Sequence, residues 1–139
     1  MNLAYAQNKV GDFSGALKTY KKIYKHEQNG YYLSIIQRLQ SKLGYYREAI
    51  QTNLKIIEIN NNNRKTKDKV VEAFSNIGDL ELKLYNYKDA CNYWRKSRKV
   101  AKSILNNQLV KKISKENINK IRENCGDSKI VKVRKFFLW

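Results

Sequence analysis

Apolar and small residues recur along this chain at steps of three and four positions, with polar residues between them. Four such sets precede short polar breaks: Leu3, Ala6 and Val10; Ile36, Leu39 and Leu43; Ile77, Leu80 and Leu84; Ile118, Ile121 and Cys125. Segments that begin at Phe13, Tyr46 and Tyr87 repeat the same spacing. Because steps of three and four place residues on one face of a helix, the pattern predicts amphipathic helices in pairs.

The breaks between paired segments are similar to one another. "KVGDFSGALKTY" at 9–20 aligns with "KLGYYREAIQTN" at 42–53 and "KLYNYKDACNYW" at 83–94. The turn positions Gly11, Gly44 and Tyr85 are 33 and then 41 residues apart, and a further step of 41 reaches Gly126. We therefore predict four antiparallel helical hairpins that turn at these residues. Residues 130–138, "IVKVRKFFL", also favour a strand, and a strand there would remove the fourth hairpin.

A single hairpin cannot bury its apolar faces, so neighbouring hairpins are expected to stack. The predicted fold is all-α, a right-handed α-solenoid in one domain, 1–139, with repeats at roughly 1–29, 30–62, 66–106 and 107–139. Small residues at Ala4 and Gly78 favour close helix packing, and Ala90 and Trp94 are expected to be buried between the third and fourth hairpins. The chain starts inside a helical pattern and ends on "FFLW". We therefore expect a fragment of a longer solenoid, or ends covered by a partner or by self-association.

The net charge of the chain indicates the kind of partner it binds more than it indicates the fold. The chain has 29 Lys and Arg against 12 Asp and Glu, a formal net charge of +17, and no proline. The absence of proline agrees with uninterrupted helices. The positive field favours anionic partners, such as acidic protein segments or phosphates.

Metal and redox chemistry have few candidate residues. Cys91 and Cys125 are 34 residues apart, and His26 is the only histidine, so we expect neither a metal site nor a cofactor. Both cysteines fall at apolar positions and are interpreted as small buried hydrophobes in a reducing, cytoplasmic setting. A disulfide or a reactive thiol is the alternative. No long apolar run or secretion signal is evident, so no membrane span is expected.

The repeated columns resemble the tetratricopeptide repeat (TPR), whose signature is a small residue, a Gly-aromatic turn, a later alanine and a large aromatic. "NLAYAQNKVGDFSGALKTY" and "NIGDLELKLYNYKDACNYW" carry this signature. The second copy has Gln37 for the small residue and Asn53 for the aromatic, and the fourth is degenerate. The "NLA" and "NIG" triplets are similar to the longer repeats of kinesin light chains, spindle-orientation adaptors and Rap-type peptide receptors. The resemblance implies a solenoid that binds peptides.

In this family the first helices of the hairpins line a concave groove, which implies a set of peptide-binding candidates. These are Asn2, Tyr5, Lys9, Arg38, Lys42, Asn76, Asp79, Lys83, Asn117 and Lys120. Asparagine amides can hold the backbone of an extended peptide, and the lysines attract acidic groups. Asn and Lys are frequent in this chain, so chance agreement is the alternative. Ser34 and Ser75 stand where the chaperone-binding variant needs lysine, which argues against that specialisation.

A second candidate surface follows the run "WRKSRKVAK" on a predicted outward-facing helix. Its cations are Arg95, Lys96, Arg98, Lys99 and Lys102. They could bind the phosphates of a nucleic acid or an anionic surface, or form an ordinary solvated face.

No arrangement of nucleophile, base and acid is evident, and no Gly-rich phosphate loop is present. We therefore expect no enzyme. The leading hypothesis is a protein–protein interaction scaffold or adaptor that binds a peptide segment of another protein, such as an acidic one, in its groove. The alternative is a basic module that binds nucleic acid or an anionic surface through the convex Arg/Lys strip.

Overall fold

The computed structural model describes residues 2–126, with side chains from Leu3 onward. These residues form seven α-helices: α1 (Asn2–Lys9), α2 (Phe13–Glu27), α3 (Gly30–Lys42), α4 (Tyr46–Asn60), α5 (Lys67–Lys83), α6 (Tyr87–Ala101) and α7 (Gln108–Asn124). A short 3-10 turn, Arg64–Thr66, precedes α5. Helices α1 and α2, α3 and α4, and α5 and α6 pack as successive hairpins, and α7 packs on both α5 and α6. The described part of the chain contains no strand, and its repeating hairpins confirm the all-α helical-repeat prediction.

Three predicted turns are confirmed by the backbone. Gly11 and Gly44 have φ of +86° and +81°, and Tyr85 has a φ of +62°. The left-handed conformation ends a helix and reverses the chain, which explains why glycine occupies two of the three positions. The predicted fourth turn, Gly126, lies two residues after the end of α7, and the helix expected at 130–138 lies outside the described residues.

Hydrogen bonds of the same type close the first two hairpins. Thr19 Oγ1 donates to Gln7 Oε1 at 2.8 Å, and Thr52 Oγ1 donates to Gln40 Oε1 at 2.7 Å. In each pair the two residues are twelve positions apart and lie on opposite sides of a turn. Because the spacing is the same, the two helices are aligned with each other in the same way in the first and the second hairpin.

Each hairpin also contains one pair of core positions whose volumes are complementary. The first hairpin places Ala4 and Tyr20 in one apolar cluster, with exposures of 0% and 4%. In the third, a Cβ added at Gly78 would collide with the indole of Trp94, so only glycine fits there. The second hairpin has Gln37 and Asn53 instead, both buried, with Asn53 Nδ2 donating to Gln37 Oε1 at 3.0 Å. A hydrogen-bonded amide pair thus replaces the small residue and the aromatic ring.

The predicted burial of Trp94 and Ala90 is confirmed. Both have 0% exposure, and they form one cluster with Ile121 and the two cysteines between α6 and α7. This cluster attaches α7 to the third hairpin.

The two cysteines differ from the sequence-based interpretation. They are buried, as expected, but they are not free: Cys91 and Cys125 form a disulfide with a Cα–Cα distance of 5.7 Å. Because α7 packs against α6 and ends at Asn124, its C-terminal end brings Cys125 to the first turns of α6. The interpretation of the cysteines as unbonded hydrophobes is therefore wrong. The spacing of the two cysteines in the sequence does not show that they are close in the fold. The cytoplasmic setting, which was inferred from unbonded cysteines, stays a prediction.

The described residues contain neither a membrane-spanning helix nor a cluster of metal-binding side chains. None of their helices combines the length and the apolar character that crossing a membrane requires. They also bring together no group of three His, Cys, Asp or Glu side chains able to hold a metal ion.

Candidate functional site: a groove between the first helices

One cleft lies between α3 and α5 and a second between α5 and α7, and together they are called the groove. The α3–α5 cleft has a volume of about 270 Å³ and is lined by Gln37, Arg38, Ser41, Glu72, Asn76, Asp79, Leu80 and Lys83. The α5–α7 cleft, of about 150 Å³, is lined by Glu72, Ser75, Asn76, Asp79, Leu109, Lys112, Ile113, Glu116 and Lys120. Glu72, Asn76 and Asp79 line both clefts because steps of three and four put them on one stripe of α5.

Asn76 is the central polar side chain of the groove. It lines both clefts and is half-buried. Its Nδ2 donates to Oδ1 of the buried Asn53 at 3.4 Å, a long bond that leaves the amide oxygen and a second N–H for other partners.

Asp79 and Lys120, two predicted binding residues, contact each other across the α5–α7 cleft. Lys120 Nζ lies 2.8 Å from Asp79 Oδ1, and Trp94 Nε1 donates to that oxygen at 3.0 Å. The ion pair is partly exposed, so its effect on stability is small. The contacts hold the Asp79 carboxylate between α5, α6 and α7.

The predicted lysine column contacts aromatic rings. Lys42 Nζ lies 4.6 Å from the centre of the Phe13 ring, and Lys83 Nζ lies 5.4 Å from the centre of the Tyr46 ring. Each of these lysines lies two residues before its turn, and each ring lies two residues after the turn of the preceding hairpin. Such cation–π contacts are favourable, so these lysines also link successive hairpins.

The other candidates on α1 and α3 are placed as follows. Tyr5 and Lys9 are exposed, with Lys9 Nζ 5.3 Å from the centre of the Tyr5 ring. Arg38 is exposed at the edge of the α3–α5 cleft. The side chain of Asn2 lies outside the described residues.

Asn117 is not in the groove, contrary to the sequence-based expectation. Its side chain has 0% exposure and lies between two serines. Its Oδ1 accepts from Ser75 Oγ at 2.8 Å, and its Nδ2 donates to Ser97 Oγ at 3.0 Å. The small serines leave room on α5 and α6 for the amide, so Asn117 joins three helices instead of facing a ligand.

Several groove residues were not among the predicted candidates. Gln37, Glu72, Lys112 and Glu116 line the clefts together with the predicted residues. Glu72 lies four positions before Asn76, so helical spacing alone was enough to include it. Gln37 occupies the repeat position that holds Ala4 and Gly78 in the other hairpins. That position is expected to pack in the core, so the repeat pattern did not predict that Gln37 also lines the α3–α5 cleft.

The convex strip on α6 is less continuous than predicted. Arg95, Lys96, Lys99 and Lys102 are exposed, and Lys96 Nζ lies 5.0 Å from the centre of the Tyr93 ring. Arg98 is partly buried, and its Nε has no hydrogen-bond partner among the described residues. The strip thus presents four exposed cations and not five.

The sequence and the fold of this chain were compared with those of known proteins. No protein-family model matches the sequence, and no curated protein matches it. The structure is similar to the TPR2AB domain of yeast Sti1, solved as a complex with pHSP90. That similarity has a TM-score of 0.65 at 20% identity and covers 86% of this chain and 45% of that one. The chain thus spans less than half the length of that structure.

A second solved structure with a similar fold is the TPR domain of Sgt2 from Aspergillus fumigatus. It has a TM-score of 0.60 at 19% identity over 88% of this chain and 76% of that one. Both structures are tetratricopeptide-repeat domains, and both similarities extend over most of this chain. The fold of this chain is therefore that of a tetratricopeptide-repeat domain.

Proposed function

We propose that this chain is a protein–protein interaction module that binds a peptide segment of another protein in the groove. The observation that carries the proposal is the position of Asn76 on the α5 stripe shared by both clefts. A peptide that occupies both clefts would contact the residues of this stripe.

The hydrogen-bonding capacity of Asn76 fits recognition of a peptide backbone. An amide side chain offers two donors and one acceptor that accepts more than one bond. Among the described residues, one donor of Asn76 is engaged, with Asn53. Since every peptide backbone carries N–H and C=O groups, such an amide binds extended segments of varied sequence.

The charges around Asn76 favour acidic groups at the edge of the α3–α5 cleft. Arg38 and Lys83 line this cleft. Of its two carboxylates, Asp79 is already paired with Lys120. The two cations are therefore opposed mainly by Glu72, so a peptide with an acidic side chain or a terminal carboxylate is the favoured ligand.

Selecting peptides from a displayed random library on the full chain tests the proposal, with affinities then measured by calorimetry. Asn76→Ala should weaken binding by about 1 to 3 kcal/mol, the usual cost of removing a buried hydrogen-bond partner. Asn92→Ala is the matched control, since Asn92 is exposed on α6. Failure to select any peptide, or equal affinity for Asn76→Ala and the wild type, would contradict peptide binding in the groove.

The convex strip supports a second proposal, binding of nucleic acid or an anionic surface. Its supporting observation is the exposure of Arg95, Lys96 and Lys99 on α6 and of Lys102 directly after it. Binding to phosphates should fall steeply with salt, and paired Lys99→Ala and Lys102→Ala substitutions should reduce the salt slope by about 2. Titration of a single-stranded oligonucleotide at several salt concentrations distinguishes this surface from the groove.

A further inference from the structure

The disulfide Cys91–Cys125 lies where it can control the α5–α7 cleft. Cys91 is in the second turn of α6, and Cys125 directly follows α7. The chain contains no other cysteine, so this bond is its single disulfide. It joins the third hairpin to the helix that forms one wall of the cleft.

Helix α7 supplies a large part of that wall. Leu109, Lys112, Glu116 and Lys120 lie along the α5–α7 cleft, and Lys120 forms the ion pair with Asp79 at 2.8 Å. Within the described residues, α7 is covalently joined to α6 in two ways: by the backbone at its N-terminal end and by the disulfide at its C-terminal end. The shape of the cleft therefore depends on how firmly the end of α7 is held against α6.

The disulfide is buried, but it borders a cleft that two cationic side chains also line. Both cysteines line a separate cleft of about 360 Å³, together with Lys88 and Arg95. Lys88 precedes Cys91 by three positions and Arg95 follows it by four, so the three side chains share one face of α6. Nearby cations stabilise the thiolate that leaves when a disulfide is attacked.

We propose that the Cys91–Cys125 disulfide is a redox-controlled staple that keeps α7 in place and thereby keeps the α5–α7 part of the groove competent for binding. The proposal rests on the proposed peptide-binding function. The reductant is a dithiol: one thiolate attacks a sulfur of the pair, a mixed disulfide forms, and the released cysteine sulfur takes up a proton. The second thiol of the reductant resolves the mixed disulfide, so two electrons and two protons pass to the cysteine pair.

Hydrogen exchange of the oxidised and the dithiothreitol-reduced full chain tests the staple without any ligand. Reduction should speed exchange of the amides in 108–124 by about tenfold or more, while those of α3 and α4 keep their rates. Intact mass confirms the gain of two hydrogen atoms per chain. The variant Cys91→Ser with Cys125→Ser should exchange like the reduced chain whether or not dithiothreitol is present.

Library peptides selected on the oxidised chain then test the link to binding. They are sorted by whether Lys120→Ala or Arg38→Ala weakens them, which assigns each to the α5–α7 or the α3–α5 cleft. Reduction should weaken the first class about tenfold and leave the second class nearly unchanged. If no peptide is selected, the proposed function fails, while the exchange comparison still decides the staple.

Three results would overturn the inference. The disulfide could resist dithiothreitol until the chain is unfolded, the exchange rates of α7 could be equal in both states, or reduction could weaken both peptide classes equally. Should the double serine variant fail to fold, the oxidised and reduced wild-type chains provide the full comparison.

Discussion

Trp94 donates its indole N–H to Asp79 Oδ1 at 3.0 Å, which links the most deeply buried ring of the third hairpin to a carboxylate of the groove. The ring itself has 0% exposure, and Gly78 provides the space for it. The core and the groove are therefore connected at this point, and a change in Trp94 affects both.

Replacing Trp94 separates these two contributions. Trp94→Ala should lower the free energy of unfolding by about 3 to 5 kcal/mol through the cavity it leaves. Trp94→Phe keeps an aromatic ring but removes the N–H donor, so it should cost less while still leaving Asp79 without one partner. Chemical denaturation followed by circular dichroism measures both variants, and an unchanged midpoint for Trp94→Ala would remove this residue from the core.

Asn117→Ala should destabilise the fold by about 1 to 3 kcal/mol, because the hydroxyl groups of Ser75 and Ser97 lose a buried partner. Asn119→Ala is the control on the same helix, since Asn119 is exposed and its loss should stay within about 0.5 kcal/mol. Equal melting temperatures for the two variants would contradict the buried position of Asn117.

Tyr85→Gly should stabilise the chain by about 1 kcal/mol. Tyr85 has a φ of +62°, a conformation that costs a non-glycine residue about 1 to 2 kcal/mol, and its side chain is 77% exposed. The greater freedom of glycine in the unfolded chain offsets part of the gain. Gly44→Ala is the reverse control: it should destabilise, although no atom lies within 4 Å of the added Cβ. Thermal melts that shift in the same direction for both variants would argue against a backbone effect.

Glu81 predicts a dependence of stability on pH. Burial raises the pKa of its carboxyl group above the ordinary 4.5, and the nearby Asp89 adds to the shift. The folded chain therefore holds this proton more tightly than the unfolded chain. The resulting stability is present below the unfolded pKa and is lost as pH rises through the folded pKa.

Glu81→Gln should raise the free energy of unfolding at pH 7 by a few tenths of a kcal/mol, with no difference from wild type well below the ordinary pKa. The glutamine oxygen can still accept from Asn86 Nδ2, which lies 3.3 Å from Glu81 Oε2. Glu58→Gln, at an exposed position on α4, controls for the change in net charge. Denaturation curves at several pH values measure the difference, and a constant gap between Glu81→Gln and wild type would refute a titration effect.

Periodicity identified the helices because their boundaries depend on local features. Gly11 and Gly44 mark turns through their backbone freedom, and the apolar columns identify most of the buried faces, including Trp94. The exception is the first set, Leu3, Ala6 and Val10, whose three residues are all exposed. Asn76 and Arg38, two of the predicted candidates, line the α3–α5 cleft.

The remaining features depend on residues far apart in sequence. Asn117 is buried because Ser75 and Ser97, 42 and 20 positions away, are small enough to receive its amide. Lys42 and Lys83 lie over rings of the preceding hairpin, and Cys91 meets Cys125 through the packing of α7. The spacing of residues within one helix does not show which side chains of another helix will pack against them.

The amide pair Gln37–Asn53 makes the whole hairpin the smallest segment that can be exchanged when chimeric solenoids are built from this chain, because its two members lie on different helices of that hairpin. A crossover at a hairpin turn would join the helix of Gln37 to one that carries a large ring, or the helix of Ala4 to that of Asn53. The first combination overfills the core, and the second leaves a void. Productive crossovers therefore fall in the connections between hairpins, at 28–29, 61–66 or 102–107, where each volume-matched pair is inherited intact.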